Sequence, residues 1–191
     1  MTSTALESPP TVRFSWQSPS SRIVLEAVLA ALADYGYEGL TLDELRHRAG
    51  NVAHVLDAST DLEALAVTAI KRVRLFRTPA PSGSLKNDLV MLLRPWLGAG
   101  DRDARAVLAV LSAAVWQPRL AEAVFEALDR PLMQALGTVL ARAAVAGECL
   151  PSHRLHPLTW ILRSLAVDQL RTCAGRSPVD LKQLVDLLLA A

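Results

Sequence analysis

From Arg22 onward the apolar positions recur with helical spacing. Val24, Val28, Ala31, Leu32 and Tyr35 fall at i, i+4, i+7, i+8 and i+11, one stripe that predicts a helix over 21–35. Gly36 can end it, because a residue without Cβ turns left-handed at no steric cost. Thr41-x-x-Glu44 reads as a capping box for a second helix whose inner face is Leu42, Leu45 and Ala49, with Gly50 as its stop. A short third helix is predicted from about Val52 to Ala58. Thr60-x-x-Glu63 reads as a second capping box, opening a helix faced by Leu62, Leu65, Ala66, Ala69, Ile70 and Val73. Strand-like alternation is absent, as are the Asn-Gly and Asp-Gly hairpin signals.

The stretch TPAPSGS, Thr78 to Ser84, is the clearest boundary. It separates a helical head, residues 21–77, from a body, residues 84–191, with five helices predicted near 85–98, 102–116, 118–146, 155–173 and 178–190. Pro118 suits a first helical turn. Pro131, inside an otherwise helical pattern, predicts a kink or a split, and Gly147 followed by Pro151 an end. The fold class that results is all-α, about nine helices in two parts, after a Ser/Thr/Pro-rich arm over residues 1–20.

Composition narrows the function. A hydrophobic fraction of 51% against 20% charged residues implies a substantial core and excludes a disordered chain. Net charge is +1, so any nucleic-acid-binding surface must be local. Two cysteines, Cys149 and Cys173, are too few for a disulfide framework and fit a reducing cytoplasm. The N-terminal segment has no apolar core of signal-peptide length, and no apolar run is long enough for a membrane span. There is no Gly-rich phosphate loop, serine elbow or HExxH, so neither an enzyme nor a cofactor is expected. His153 and His156 lie beside Cys149, but in a loop between Pro151 and Pro157 they predict no metal site.

The head resembles a known family. RIVLEAVLAALADYGYEGLTLDELRHRAG followed by LEALAVTAI is similar to the N-terminal helix-turn-helix domain of TetR (tetracycline-repressor-like) transcriptional regulators, over about Arg22 to Val73. WQPRLAEAVFEAL and RAAVAGECLP, from Trp116 and Arg142, resemble more loosely the sixth and seventh helices of that family. The resemblance implies a homodimer in which each head places its third helix in the DNA major groove. It also implies a four-helix dimer interface from the last two helices, and a body pocket whose small-molecule occupant releases DNA. In the family, a Tyr near the third helix and a Lys opening the fourth contact phosphates. Here no Tyr, Phe, Lys or Arg occurs from Asn51 to Thr68, while Asp57, Asp61 and Glu63 do. From Arg13 to Arg74 seven Lys/Arg face eight Asp/Glu, so the head is neutral to acidic.

The candidate DNA contacts are therefore few. Arg46, His47 and Arg48 close the second helix, Arg13 and Arg22 lie on or near the arm, and Lys71, Arg72 and Arg74 end the fourth helix. Arg46 and Arg48 equally suit the helix C-terminal dipole. Base reading falls to Asn51 and His54, with Ala53 able to touch a thymine methyl; Thr41 and Val52 complete the set. In the body, Met91, Trp96, Trp116, Phe125, Met133 and Trp160 are the bulky side chains suited to a pocket for an apolar or aromatic effector, or to a bundle core. Leu158, Ile161, Leu162, Leu165 and Leu170, with Leu181, Leu184, Val185 and Leu188, form two apolar faces suited to a two-fold interface. The expected function is a repressor of this family. The alternative is a dimeric ligand-binding or protein-interaction module that has lost direct DNA binding.

Overall fold

A computed structural model describes residues 18–94, 101–148, 160–161, 164 and 181–190. All regular structure among the described residues is helical. The first helix, α1, spans Pro19–Tyr35 and begins two residues before the expected start. Ser18 caps it, accepting the Ser21 N–H at 3.1 Å, and Pro19 needs no N–H at a first turn. Residues 18–20, expected in the arm, thus belong to the helix end; the rest of the arm lies outside the described residues. Gly36, at φ 78°, ends α1 with its N–H on the Leu32 carbonyl.

Helix α2 is Leu42–Ala49, with Thr41 as cap accepting the Glu44 N–H at 3.3 Å. A 3₁₀ turn, Gly50–Val55, follows where a short α-helix over 52–58 was expected. Gly50 sits at φ 56°, ψ −119°, a conformation that side-chain-bearing residues avoid. Helix α3 is Leu62–Arg72. Its cap is Asp61, whose carboxylate accepts the Ala64 N–H at 3.0 Å, not the expected Thr60. The Thr60 hydroxyl is used elsewhere, accepting the Asp57 N–H at 3.0 Å in the preceding turn. A carboxylate at the positive end of a helix is also the better partner for its dipole.

Beyond the boundary stretch come α4 (Leu85–Leu93), α5 (Arg102–Ala114), α6 (Pro118–Val124), α7 (Arg130–Val145) and α8 (Leu181–Ala190). The split expected at Pro131 is present in a specific form. A π turn over Phe125–Asp129 joins α6 to α7, with the Arg130 N–H reaching back five residues to the Phe125 carbonyl. Pro131 then occupies the first turn of α7, where its missing N–H costs nothing. The predicted helix over 155–173, apart from residues 160, 161 and 164, lies outside the described residues, as do Trp96, Cys149, His153, His156 and Cys173.

One core runs through both halves. Leu32 of α1, Leu45 of α2 and Ile70 of α3 are fully buried, as are Leu89 and Leu92 of α4, Leu120 of α6 and Leu132 and Leu136 of α7. Burying each such side chain contributes about 1.5–3 kcal/mol relative to leaving it in water. The boundary stretch lies against α7, where Arg142 donates to the Pro79 carbonyl at 2.8 Å. Helix α4, lacking a side-chain cap from Ser84, is capped from a distance: the Leu85 N–H donates to the Glu148 carboxylate at 3.1 Å. The buried Asp88 carboxylate accepts the Ser82 N–H at 2.8 Å. Helix α8 packs on α4, with Lys86 paired to Asp186. Val185, expected on a dimer face, is instead fully buried within the chain.

Candidate functional site

The turn from α2 into the 3₁₀ segment is built from the inside out. Leu45 and Ala49 of α2, Val52 of the 3₁₀ turn and Leu56 after it are all buried. This apolar ladder fixes which side chains of Gly50–Thr60 face outward. Asn51 and His54 are exposed, and Ala53 is half-buried. Val52, a candidate contact in sequence terms, is 8% exposed and serves the core. Thr41 is exposed, but its hydroxyl oxygen is engaged in the α2 cap.

His54 donates its Nδ1–H to the Asn51 carbonyl at 3.1 Å. In the neutral ring that leaves Nε2 as an acceptor, suited to an amino group on a base edge. The Asn51 amide makes no hydrogen bond among the described residues and retains both donor and acceptor. These two side chains are the polar groups the segment leaves open to a partner.

The cations expected to hold phosphate are arranged differently. Arg46 donates Nε and Nη2 to the Leu56 carbonyl at 3.1 and 3.0 Å, tying the exit of the 3₁₀ segment back to α2. It also lies 3.6 Å from Asp43. Arg48 pairs with Asp34 at 2.9 Å and with Glu44, and its guanidinium lies 5.2 Å from the centre of the Tyr35 ring. The Glu44 hydrogen bond raises the Arg48 pKa above its already high value, with Asp34 and Tyr35 adding to it. Lys71 pairs with Glu122 of α6 at 3.1 Å. Arg22, exposed on the first turn of α1, makes no ion pair among the described residues. The role of Arg46 as a clamp was not legible in the sequence, because its acceptor is a backbone carbonyl ten residues away.

The acidic groups here are local too. Asp57 accepts the Ser59 N–H at 2.9 Å and the Ser59 hydroxyl at 2.7 Å, which hold its carboxyl below its ordinary pKa of 3.8. Asp61 and Glu63 each lie 3.5 Å from Arg119 of α6.

The candidate pocket residues of the body do not converge. Met91, Trp116, Phe125, Met133 and Trp160 are all surface residues, from 40% exposed at Phe125 to 84% at Trp116. The Phe125 ring has the Arg130 guanidinium 5.7 Å from its centre. Trp116 alone among them lines a groove, of about 670 Å³, formed where the α1–α2 turn meets the α5–α6 corner. There the Tyr37 hydroxyl donates to Gln117 Oε1 at 2.9 Å, joining the two halves. Burial raises the Tyr37 pKa, and the charges of Glu63 and Asp61 add to the shift while the Gln117 bond opposes it. No group of three His, Cys, Asp or Glu among the described residues is placed to hold a metal. No helix among them is long and apolar enough to cross a membrane.

Comparison with protein-family models matches residues 79–190 to the tetracyclin repressor-like C-terminal domain, the half in which the sequence resemblance was looser. Neither a curated protein nor a solved structure matches the chain.

Proposed function

The chain belongs to the tetracycline-repressor-like family, and from that premise we propose that it is a ligand-responsive transcriptional regulator, a repressor, that contacts double-stranded operator DNA through residues 21–77. The observation that carries this reading is the pairing of exposed Asn51 and His54 on a segment whose apolar side is locked to α2. Residues 84–191 hold a small apolar or aromatic effector and, through the last two helices, a second copy of the chain. In this reading the head is a three-helix helix-turn-helix unit in which the 3₁₀ turn stands for the recognition helix, in a body that brings the total to about nine helices. The protein acts by binding, not by catalysis, in the cytoplasm.

Phosphate contacts would come from Arg22 and the end of α2, where His47 is exposed. With Arg46, Arg48 and Lys71 engaged internally, the electrostatic share of the affinity is small. That same engagement favours a second reading, a dimeric ligand-binding or protein-interaction module that has lost direct DNA binding.

Binding to DNA upstream of the protein's own coding region, measured by fluorescence anisotropy at several salt concentrations, separates the two. The regulator reading expects a saturable, salt-dependent complex weakened about tenfold by Asn51→Ala/His54→Ala, with an unchanged melting temperature. Absence of sequence-specific binding even at low salt removes the regulator reading in favour of the second.

A further inference from the structure

The groove at the α1–α2 turn has a composition of its own. Its walls include Tyr35, Tyr37 and Glu38 from one side and Ser112, Trp116 and Gln117 from the other. At about 670 Å³ it lies within the range of small-molecule sites. The turn that forms one wall is fixed. Gly36 adopts φ 78°, and a Cβ on Gly39 would stand 2.6 Å from the Tyr35 Cβ, so the chain folds back on the helix end only with glycine there. The wall is therefore preformed, which lowers the entropic cost of occupancy.

The charge of the groove selects its occupant. Glu38 is the one charged side chain lining it, and it makes no ion pair among the described residues. The neighbouring cations are already matched: Arg48 by Asp34 and Glu44, and Arg105 by Asp34 at 3.9 Å. Tyr35 carries a guanidinium over its ring at 5.2 Å, so the aromatic surface here already accepts positive charge. Trp116, 84% exposed, offers the best cation-binding ring and a large area to cover. The Tyr37, Ser112 and Gln117 side chains add hydrogen-bonding groups.

We infer that this groove is a binding site for a planar aromatic cation, stacked on Trp116 with its positive charge toward Glu38. The inference rests on the effector reading above, which it extends from residues 84–191 alone to a groove shared with residues 35–38 and to a charged aromatic occupant, and not on DNA binding. Because the groove is walled by both halves of the chain, its occupant bears directly on the α1–α2 turn.

The test uses the full chain without DNA, so its failure is distinct from failure of the operator experiment. N-methylquinolinium, titrated by calorimetry, binds with one site per chain. Trp116→Ala weakens that binding about tenfold, and Glu38→Gln weakens it about threefold with the salt dependence reduced. Both side chains are exposed, so neither change disturbs the fold. The bicyclic aromatic anion 2-naphthoate binds at least tenfold more weakly, and Trp160→Ala, outside the groove, leaves the cation's affinity unchanged. Equal binding of the anion, or indifference to both Trp116→Ala and Glu38→Gln, overturns the proposal. So does absence of binding at millimolar concentration, or a change of oligomeric state in Trp116→Ala, which would make this face a contact between copies.

Discussion

Helix α2 and the segment that follows it are neighbours in sequence with opposite uses of their polar groups. In α2 nearly every polar side chain is turned inward on the protein's own architecture: Thr41 caps, Arg46 clamps Leu56, Arg48 bridges Asp34 and Glu44. In Gly50–Val55 the inward role falls to Val52, and Asn51 and His54 are left to solvent. One stretch has its chemistry consumed by folding, and the next has its chemistry available for a partner. A cation in a helix-turn-helix sequence is thus not equivalent to a cation offered to DNA; what it already touches decides.

That contrast can be broken most severely at its apolar base. Leu45 is fully buried, and Leu45→Ala lowers stability by about 3 kcal/mol, read by urea denaturation. Next is the junction itself. Gly50→Ala forces a side chain into the conformation at φ 56°, costing about 1–3 kcal/mol. It also shifts the outward register of Asn51 and His54, so any DNA affinity falls with stability; retained affinity at reduced stability would separate the two regions. Thr41→Ala removes the cap and costs about 1 kcal/mol, while Thr41→Ser restores most of it, as thermal melts will show. The smallest effect belongs to Asp57. Its carboxyl titrates below 3.8 in the folded chain, so its contribution is intact above that value and is lost as the pH falls through the folded pKa. Asp57→Asn should lower stability slightly at neutral pH, leave it unchanged in strong acid, and so flatten the acid limb of the stability profile.

Much of the head was legible because its signals are local. Gly36, Thr41 and Gly50 act within one turn of themselves, and the 3.6-residue stripe of α1 needs no distant partner to be recognised. Thr60 was misread because two adjacent residues, Thr60 and Asp61, can each cap, and only the Asp57 turn decides between them. The 3₁₀ form of Gly50–Val55 was not legible, since Val52 and Leu56 suit either helix, and the Arg46 bond to the Leu56 carbonyl that accompanies it joins residues ten apart. In the body, large aromatic side chains were read as lining a pocket. Their exposure follows from which face of α5, α6 and α7 meets the core, and Ala, Val and Leu fill that face. Trp116 stands just past the end of α5, where helical periodicity no longer dictates its direction.

The π turn between α6 and α7 amounts to one residue more than a regular helix would need over Phe125–Asp129. It acts as a spacer in the angular phase of the long α6–α7 rod. Forcing those residues into ordinary helix without removing one would rotate everything downstream by about 100°. Leu132, Leu136 and Val139 would then leave the core together, and Glu148 would leave the α4 terminus it caps. Local regularity and global fit are opposed at this one place, so regularising the helix at constant length should lose the protein, whereas deleting one residue of the turn should keep it.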